Sequence, residues 1–481
     1  IWRTDLKKRW LPFLLCLLLA AGLILVGLFL SKKNRASGVE VFLPSAQSPS
    51  ANDVTEDGSL SQSVSDNGSL KVPSVIKTDG LGYQVNDKKK AYFEKGEEGT
   101  CFQVVDAHTR ETVFTGQIDR KSTGDFSGVT APGIYYIEAA HVGRSGQFVI
   151  LEDKYRDMAD SLYQKFFSYA QAKGTDTADR LQILSWILRY ADTYTDTSEY
   201  FFLADDIRGR TDGGYLSGCM EIADDLINET EGAATEELSL YSVVMASLSQ
   251  KIQAYDRERS NTYLKEAVGA YANVVQRKNE LTDEAWIFYA AAQLYKTTGQ
   301  PAYRVVAEQY LKTAKEEERF VKDDPQDKQR ADEAFVFGLV TYLQTTDKVD
   351  VDLCEKGMKM LIRQAEVYVE MTEADFYDGF GGDAASCLIT DRLYVIAIVE
   401  HVIVSQEYNN ILKAAIHNLG GCNRDGQIYL SEHGIIRTDY DEPGSDAVNA
   451  AAYYYLLGQI CESDYKENES IRSEAMESEE P

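Results

Sequence analysis

Two stretches of this chain echo each other at a distance that two helices and their loops would fill. Asp283-Glu-Ala-Trp-Ile-Phe288 opens an apolar run that ends at Thr298-Gly299. Asp332-Glu-Ala-Phe-Val-Phe337, 49 residues on, opens another that ends at Thr345-Thr346. Acids in a first turn complement the helix dipole, and Gly299 can close the last turn in a left-handed conformation. The period argues for repeated helical hairpins. The pattern is helical almost throughout from Tyr155 to Cys461. At about 25 residues per helix and loop, that length predicts about twelve helices. The expected fold of this part is a solenoid of hairpins, open or closed into a toroid.

Upstream the pattern changes. Cys101–Val105, Thr112–Thr115, Ile134–Ile137 and Gln147–Ile150 are short runs of β-branched and aromatic residues, with Gly or Pro in the gaps. Strands at that spacing over roughly 80 residues predict a small β-sandwich. Residues 36–72 are rich in Ser, Asp, Asn and Gly and read as a flexible stalk; residues 463–481 read as an acidic, disordered tail. Residues 1–35 hold the uncharged stretch Trp10–Leu30. About 20 apolar residues cross a hydrocarbon core. The stretch exceeds the usual signal-peptide core, so an uncleaved anchor is expected, with the bulk of the chain extracytoplasmic. The domain reading is an anchor at 1–35, a stalk at 36–72, a sandwich at 73–152, a helical domain at 153–462 and a tail at 463–481.

A net charge of -28 argues against nucleic acid, whose phosphates attract basic surfaces. Outside the anchor Cys101, Cys219, Cys354, Cys387, Cys422 and Cys461 are scattered without metal-ligand spacing, and His is sparse at five. No metal or other cofactor is expected. Tyr is frequent at 30 residues; tyrosine surfaces suit sugar faces, but for any one Tyr a place in a helix-packed core is the commoner role.

Several local signatures resemble family 9 glycoside hydrolases, the cellulase family, carrying an N-terminal immunoglobulin-like module. Gly82-Tyr83, Lys88-Lys89, a Thr115-Gly116 turn, Asp125-Phe126-Ser127 with Pro132-Gly133-Ile134-Tyr135, and Ser145 with Phe148 and Ile150 are similar to that module. Tyr155–Phe167 resembles the helix that leads into the family's catalytic domain. Glu284–Gly299 and His417–Tyr429 resemble two of its later segments. The resemblance implies an (α/α)6 barrel, a six-hairpin toroid whose loops at one end form a glycan cleft. It also implies a β-glucan or cellulosic partner.

Inverting hydrolysis needs two carboxyl groups, one to protonate the leaving oxygen and one to activate a water. The family's base side is an Asp pair in a Gly-Gly-Trp-x-Asp-Ala-Gly-Asp type of motif. Aligning its Gly pair on Asp212-Gly-Gly-Tyr215 puts the two Asp positions on Ser217 and Met220, with Asp212 the nearest carboxylate. The family's acid, counted back from Asn449, falls on Pro443, so Glu442 and Asp446 are the acid candidates. Tyr215, His433 and Arg437 are the candidate substrate-binding residues. The expectation is a membrane-anchored protein that binds β-glucan through a catalytically degenerate cleft. The alternatives are an active inverting glucanase with a relocated base and an envelope protein-interaction scaffold.

Overall fold

A computed structural model describes residues 74–194, 215–227, 229, 232–281, 283–316, 331–378, 392–428 and 445–478, together with 63–64 and 70–71. The strands are β1 (Ser63–Val64), β2 (Leu70–Lys71), β3 (Ile76–Lys77), β4 (Tyr83–Gln84), β5 (Lys90–Phe93), β6 (Cys101–Asp106), β7 (Thr112–Gln117), β8 (Thr123–Asp125), β9 (Gly133–Ala139), β10 (Gly143–Arg144), β11 (Phe148–Leu151) and β12 (Gln427–Ile428). One sheet runs β4-β11-β9-β6-β7 with β10 beside β9; a second runs β3-β5-β8. The pairing is antiparallel except between β11 and β4. Alternation in β6 and β9 turns Phe102, Val104, Tyr135 and Ile137 into the space between the sheets. There Tyr83 meets Phe126 and Phe148 edge-on at 5.2 and 5.5 Å.

The sandwich explains the residues that carried the resemblance. Gly82 has φ +81°, and a Cβ there would fall 2.5 Å from Val149, so only glycine fits. The Tyr83 hydroxyl accepts from the Asp79 N–H at 3.0 Å and donates to the Lys90 carbonyl at 2.8 Å. Lys89 is buried, and its ammonium reaches the carbonyls of Gln84, Val85 and Asp87. Gly116 lies inside β7 and not in a turn. A Cβ there would sit 2.5 Å from Phe102, so the position is kept bare for that ring.

The helices are α1 (Lys154–Gln171), α2 (Thr177–Tyr194), α3 (Tyr215–Leu226), α4 (Thr235–Ile252), α5 (Arg257–Gln276), α6 (Ala285–Thr298), α7 (Pro301–Thr313), α8 (Ala331–Leu343), α9 (Val351–Asp378), α10 (Tyr394–Ile403), α11 (Gln406–Leu419) and α12 (Ser445–Ser478). They alternate between two rings. The even-numbered helices form the inner one and bury most of their faces: each residue of α6 from Ala285 through Tyr295 is buried. The odd-numbered helices lie outside; α5 buries only Ser260, Tyr263, Ala267, Ala270, Tyr271 and Val274, a single stripe. Phe337 of α8 stacks on Tyr394 of α10 at 5.3 Å, and Tyr454 of α12 stacks on Tyr190 of α2 at 4.6 Å, which closes the ring. Trp186 meets Tyr394 while Tyr194, two turns on, meets His401, so α2 and α10 run the same way. The described helices thus make the (α/α)6 toroid, and the two echoed segments are the inner neighbours α6 and α8.

Two ends differ from the compositional reading. β2, within the stretch read as a stalk, pairs with β12 of the helical domain. Such pairing needs backbone groups and no apolar content. α12 continues through Ser478, across residues read as a disordered tail. Glu, Lys, Ala and Arg propagate a helix that packing has already nucleated. Among the described residues no helix is long and apolar enough to cross a membrane. Trp10–Leu30 lies outside the described residues.

A buried polar cluster joins sandwich to toroid. Lys154, first residue of α1, places its ammonium 2.7 Å from Asp79 and 2.5 Å from the Gly82 carbonyl. His417 Nδ1, from α11, lies 2.7 Å from the same Asp79 oxygen; Nε2 lies 3.3 Å from Asp87, off the hydrogen-bond line. Asp87 accepts from the Tyr155 hydroxyl at 2.9 Å, and Lys413 lies 3.4 Å from Asp87 and 2.6 Å from Asp464. Burial alone would raise the Asp87 carboxyl; His417, Lys413 and Lys154 outweigh it and hold that group well below its ordinary range.

Candidate functional site

Because the inner helices are parallel, their N-termini gather at one end of the toroid. The first turn of α2 brings two carboxylates there. Asp176 Oδ1 accepts the N–H of Ala178 at 2.8 Å and that of Asp179 at 3.4 Å, and so starts the helix. Asp179, half-buried, accepts from the Tyr169 hydroxyl of α1 at 2.9 Å. Burial first, then Asp179, pushes that hydroxyl up to about 12. Arg180 is turned away, to Glu229 at 2.8 Å and Asp225 at 3.4 Å. In the first turn of the next inner helix, α4, the Glu237 carboxyl is raised by burial and by the charge of Asp176, against a hydrogen bond from the Ala234 backbone that lowers it.

A carboxyl raised by burial with a second carboxyl near it is the kind of arrangement from which acid and base roles are built. Asp176 and Asp179 were missed in the sequence. Their spacing, Asp-Thr-Ala-Asp, is that of the Asp-x-x-Asp in the family motif, but the preceding glycine pair and aromatic residue are gone, leaving Gly174-Thr175. The spacing of the two acids was the available signal.

The Gly pair used for alignment leads elsewhere. Ser217 and Met220 lie on α3, an outer helix. Met220 is buried there, and its carbonyl accepts from the Tyr263 hydroxyl of α5 at 3.2 Å. Gly218 is needed because any Cβ would run into Phe167 of α1. Gly218 therefore serves helix packing, while Gly213 and Gly214 lie outside the described residues. Tyr215 opens the same helix. Asp446 stands in the first turn of inner helix α12, at the end where Asp176 and Asp179 lie. Asp212, His433, Arg437 and Glu442 lie outside the described residues. The described elements flanking Asp212 are the C-terminus of α2 and outer helix α3, whereas Glu442 precedes the N-terminus of α12.

His417 and its neighbours, part of the late segment that carried the resemblance, act at the sandwich junction. Gly80 donates to the Gly420 carbonyl at 2.8 Å, and Asn423 holds the turn before β12 by bonding Asn418 and Gln427. Among the described residues no group of His, Cys, Asp and Glu side chains is arranged to hold a metal ion.

Residues 71–144 match the family of cellulase N-terminal ig-like domains. Curated protein sequences give no match. Solved structures give several. A thermostable endoglucanase from Alicyclobacillus acidocaldarius is 16% identical, with 81% of this chain and 100% of that one covered, at a TM-score of 0.60. A metagenome-derived glycoside hydrolase family 9 endoglucanase is 12% identical over 80% of this chain and 98% of its own, with a TM-score of 0.63. AaCel9A in complex with cellobiose-like isofagomine is 16% identical, covering 80% and 99%, with a TM-score of 0.60. The chain therefore has the fold of family 9 endoglucanases, an immunoglobulin-like module followed by a helical toroid.

Proposed function

We propose that this chain, built on the frame of family 9 endoglucanases, is a glycoside hydrolase-like protein that binds β-glucan at the N-terminal end of its inner helices. The observation that carries the reading is the gathering of carboxyl groups there, Asp176 just before α2, Asp179 in its first turn and Glu237 in the first turn of α4; Asp446 holds a first-turn position of α12 at the same end. Such groups bond sugar hydroxyls, and the structural neighbour with isofagomine makes a cellobiose-like ligand the first one to try. Turnover is weak in this reading, because Asp176 is engaged by its own helix and Asp179 by Tyr169. The apolar stretch Trp10–Leu30 holds the protein at a membrane with the toroid outside the cytoplasm.

Isothermal titration with cello-oligosaccharides and a soluble β-glucan tests the binding. Saturable binding is expected, weakened by an Asp176→Asn, Asp179→Asn double substitution. Absence of binding to every β-glucan removes the reading. Fractionation before and after deletion of residues 10–30 tests the anchor; protein found in the soluble fraction before deletion removes it.

A second reading is favoured by the Asp176–Asp179 spacing: an inverting glucanase with one of the two as base. The acid would then come from Glu442 or Asp446, and Asp212 would have no part. Reducing-end release measures it. If hydrolysis occurs, D176N or D179N should lower it by about 100-fold or more, the scale of an acid–base contribution. Unchanged release in both would remove this assignment.

A further inference from the structure

The axis of the toroid holds a charged core that the glycan reading does not use. Arg189 of α2 is buried and stacked, with its guanidinium 3.8 Å from the Phe337 ring centre and 4.8 Å from that of Trp186. Its Nε donates to the Tyr289 hydroxyl at 3.2 Å and its Nη1 to Glu333 at 2.6 Å. Nη2 has no partner among the described residues. One helical turn further along α2, Asp192 is bound by the ammonium groups of Lys251 and Lys296, and Lys296 also reaches Gln344 at 3.1 Å. Between the two groups lies a cavity of about 20 Å³, with Arg189, Asp192, Ser247, Tyr289 and Thr341 on its wall.

Among the described residues the charges around the cavity do not balance. Arg189, Lys251 and Lys296 contribute three positive charges, and Asp192 and Glu333 two negative ones. Tyr289 does not supply the missing anion, because burial holds its hydroxyl above its ordinary value and protonated. Among the described residues one positive charge is therefore left, in a group whose Lys251 and Lys296 side chains are only 17% and 11% exposed, an arrangement that costs free energy unless something neutralises it. The cavity has room for one water-sized body, enough for a spherical ion and too small for four oxygens around a centre.

We propose that this cavity is a binding site for a small monovalent anion, chloride in solution, held by Arg189 Nη2 and by the excess positive charge around Asp192. The ion would lock α2, α4, α6 and α8 together at the axis. It would stabilise the fold without taking part in chemistry at the helix N-termini.

Two measurements on the whole chain in detergent test the site. The first follows thermal unfolding in sodium chloride and in sodium gluconate at matched ionic strength. Chloride at about 100 times its Kd should raise Tm by about 3 °C. Lys296→Met, which removes the excess charge, should abolish that difference. Equal Tm in the two salts for the native chain would overturn the proposal. The second measurement is bromide anomalous scattering from crystals of the native chain, which needs no variant to fold. A bromide peak within hydrogen-bond reach of Arg189 Nη2 is expected; water alone in the cavity would overturn it.

Discussion

His417 is the α11 residue on which the junction cluster converges. It lies between Asp79 and Asp87, and Lys154 shares Asp79 with it at the buried seam of sandwich and toroid. Removing one partner from such a buried set leaves the rest uncompensated, at about 3–5 kcal/mol. His417→Leu should lose stability on that scale, as read by chemical denaturation. A loss under about 1 kcal/mol, the worth of an exposed pair, would mean the cluster is not closed to water. Asp192 makes a different test. Burial would raise its carboxyl, but Lys251 and Lys296 lower it from 3.8 to about 2. Its folded value therefore lies below its unfolded one, so its stabilisation is present above 3.8 and lost as pH falls through 2. Asp87 is depressed in the same direction. Acid titration of Tm should steepen below 3.8, and Asp192→Asn should be less stable at neutral pH and flatter in the acid limb. An acid limb of unchanged slope in that variant would remove Asp192 as a source.

At the scale of elements, close approach decides which glycines matter. Gly338 of α8 faces α6, where a Cβ would fall 2.7 Å from Phe288 and 3.0 Å from the Tyr289 backbone. The ring can shift but the backbone cannot, so Gly338→Ala should cost about 1–3 kcal/mol, the scale of core overpacking. Gly269 on outer helix α5 meets nothing within 4 Å, and Gly269→Ala should stabilise by about 0.5–1 kcal/mol through helix propensity. Opposite signs for these two substitutions in thermal melts check the ring assignment; equal signs would contradict it. The same physics explains what was legible in the sequence. The α6 and α8 echo was readable because both helices bury nearly every face and so read as unbroken apolar runs, each introduced by an Asp-Glu-Ala step. Within the Asp212–Met220 stretch the described glycine, Gly218, reports close approach of Phe167 from α1, a packing signal that in sequence looks the same as a turn. Asp176 and Asp179 were hidden because their loop had lost the flanking residues that mark it, leaving only a spacing common to many helix starts.

Across the whole molecule, the sandwich is wedded to the toroid and is not a mobile appendage. The polar groups at the seam come from the loops around β4 on one side and from α1, α11 and α12 on the other. The Asp79–Lys154, Asp79–His417 and Asp87–Tyr155 contacts exist only when both sides are present. The Gly80–Gly420 backbone bond and the Gln84–Asp464 side-chain bond, at 2.8 Å each, cross the same seam. Separating the two bodies would expose Asp79, Asp87, Lys154 and His417 singly, so partial unfolding of the sandwich should carry the toroid with it. Calorimetry of the native chain should therefore show one cooperative transition, whose calorimetric and van't Hoff enthalpies agree. Lys154→Met removes the ammonium but keeps the stem that packs in the seam. If the ion pair couples the bodies, this variant should split the transition or lower its cooperativity as well as its Tm. If Tm falls while the transition stays single and the enthalpies still agree, the coupling rests on the backbone and apolar contacts of the seam. Two transitions in the native chain would show the bodies to be independent, and the junction role of His417 would go with them.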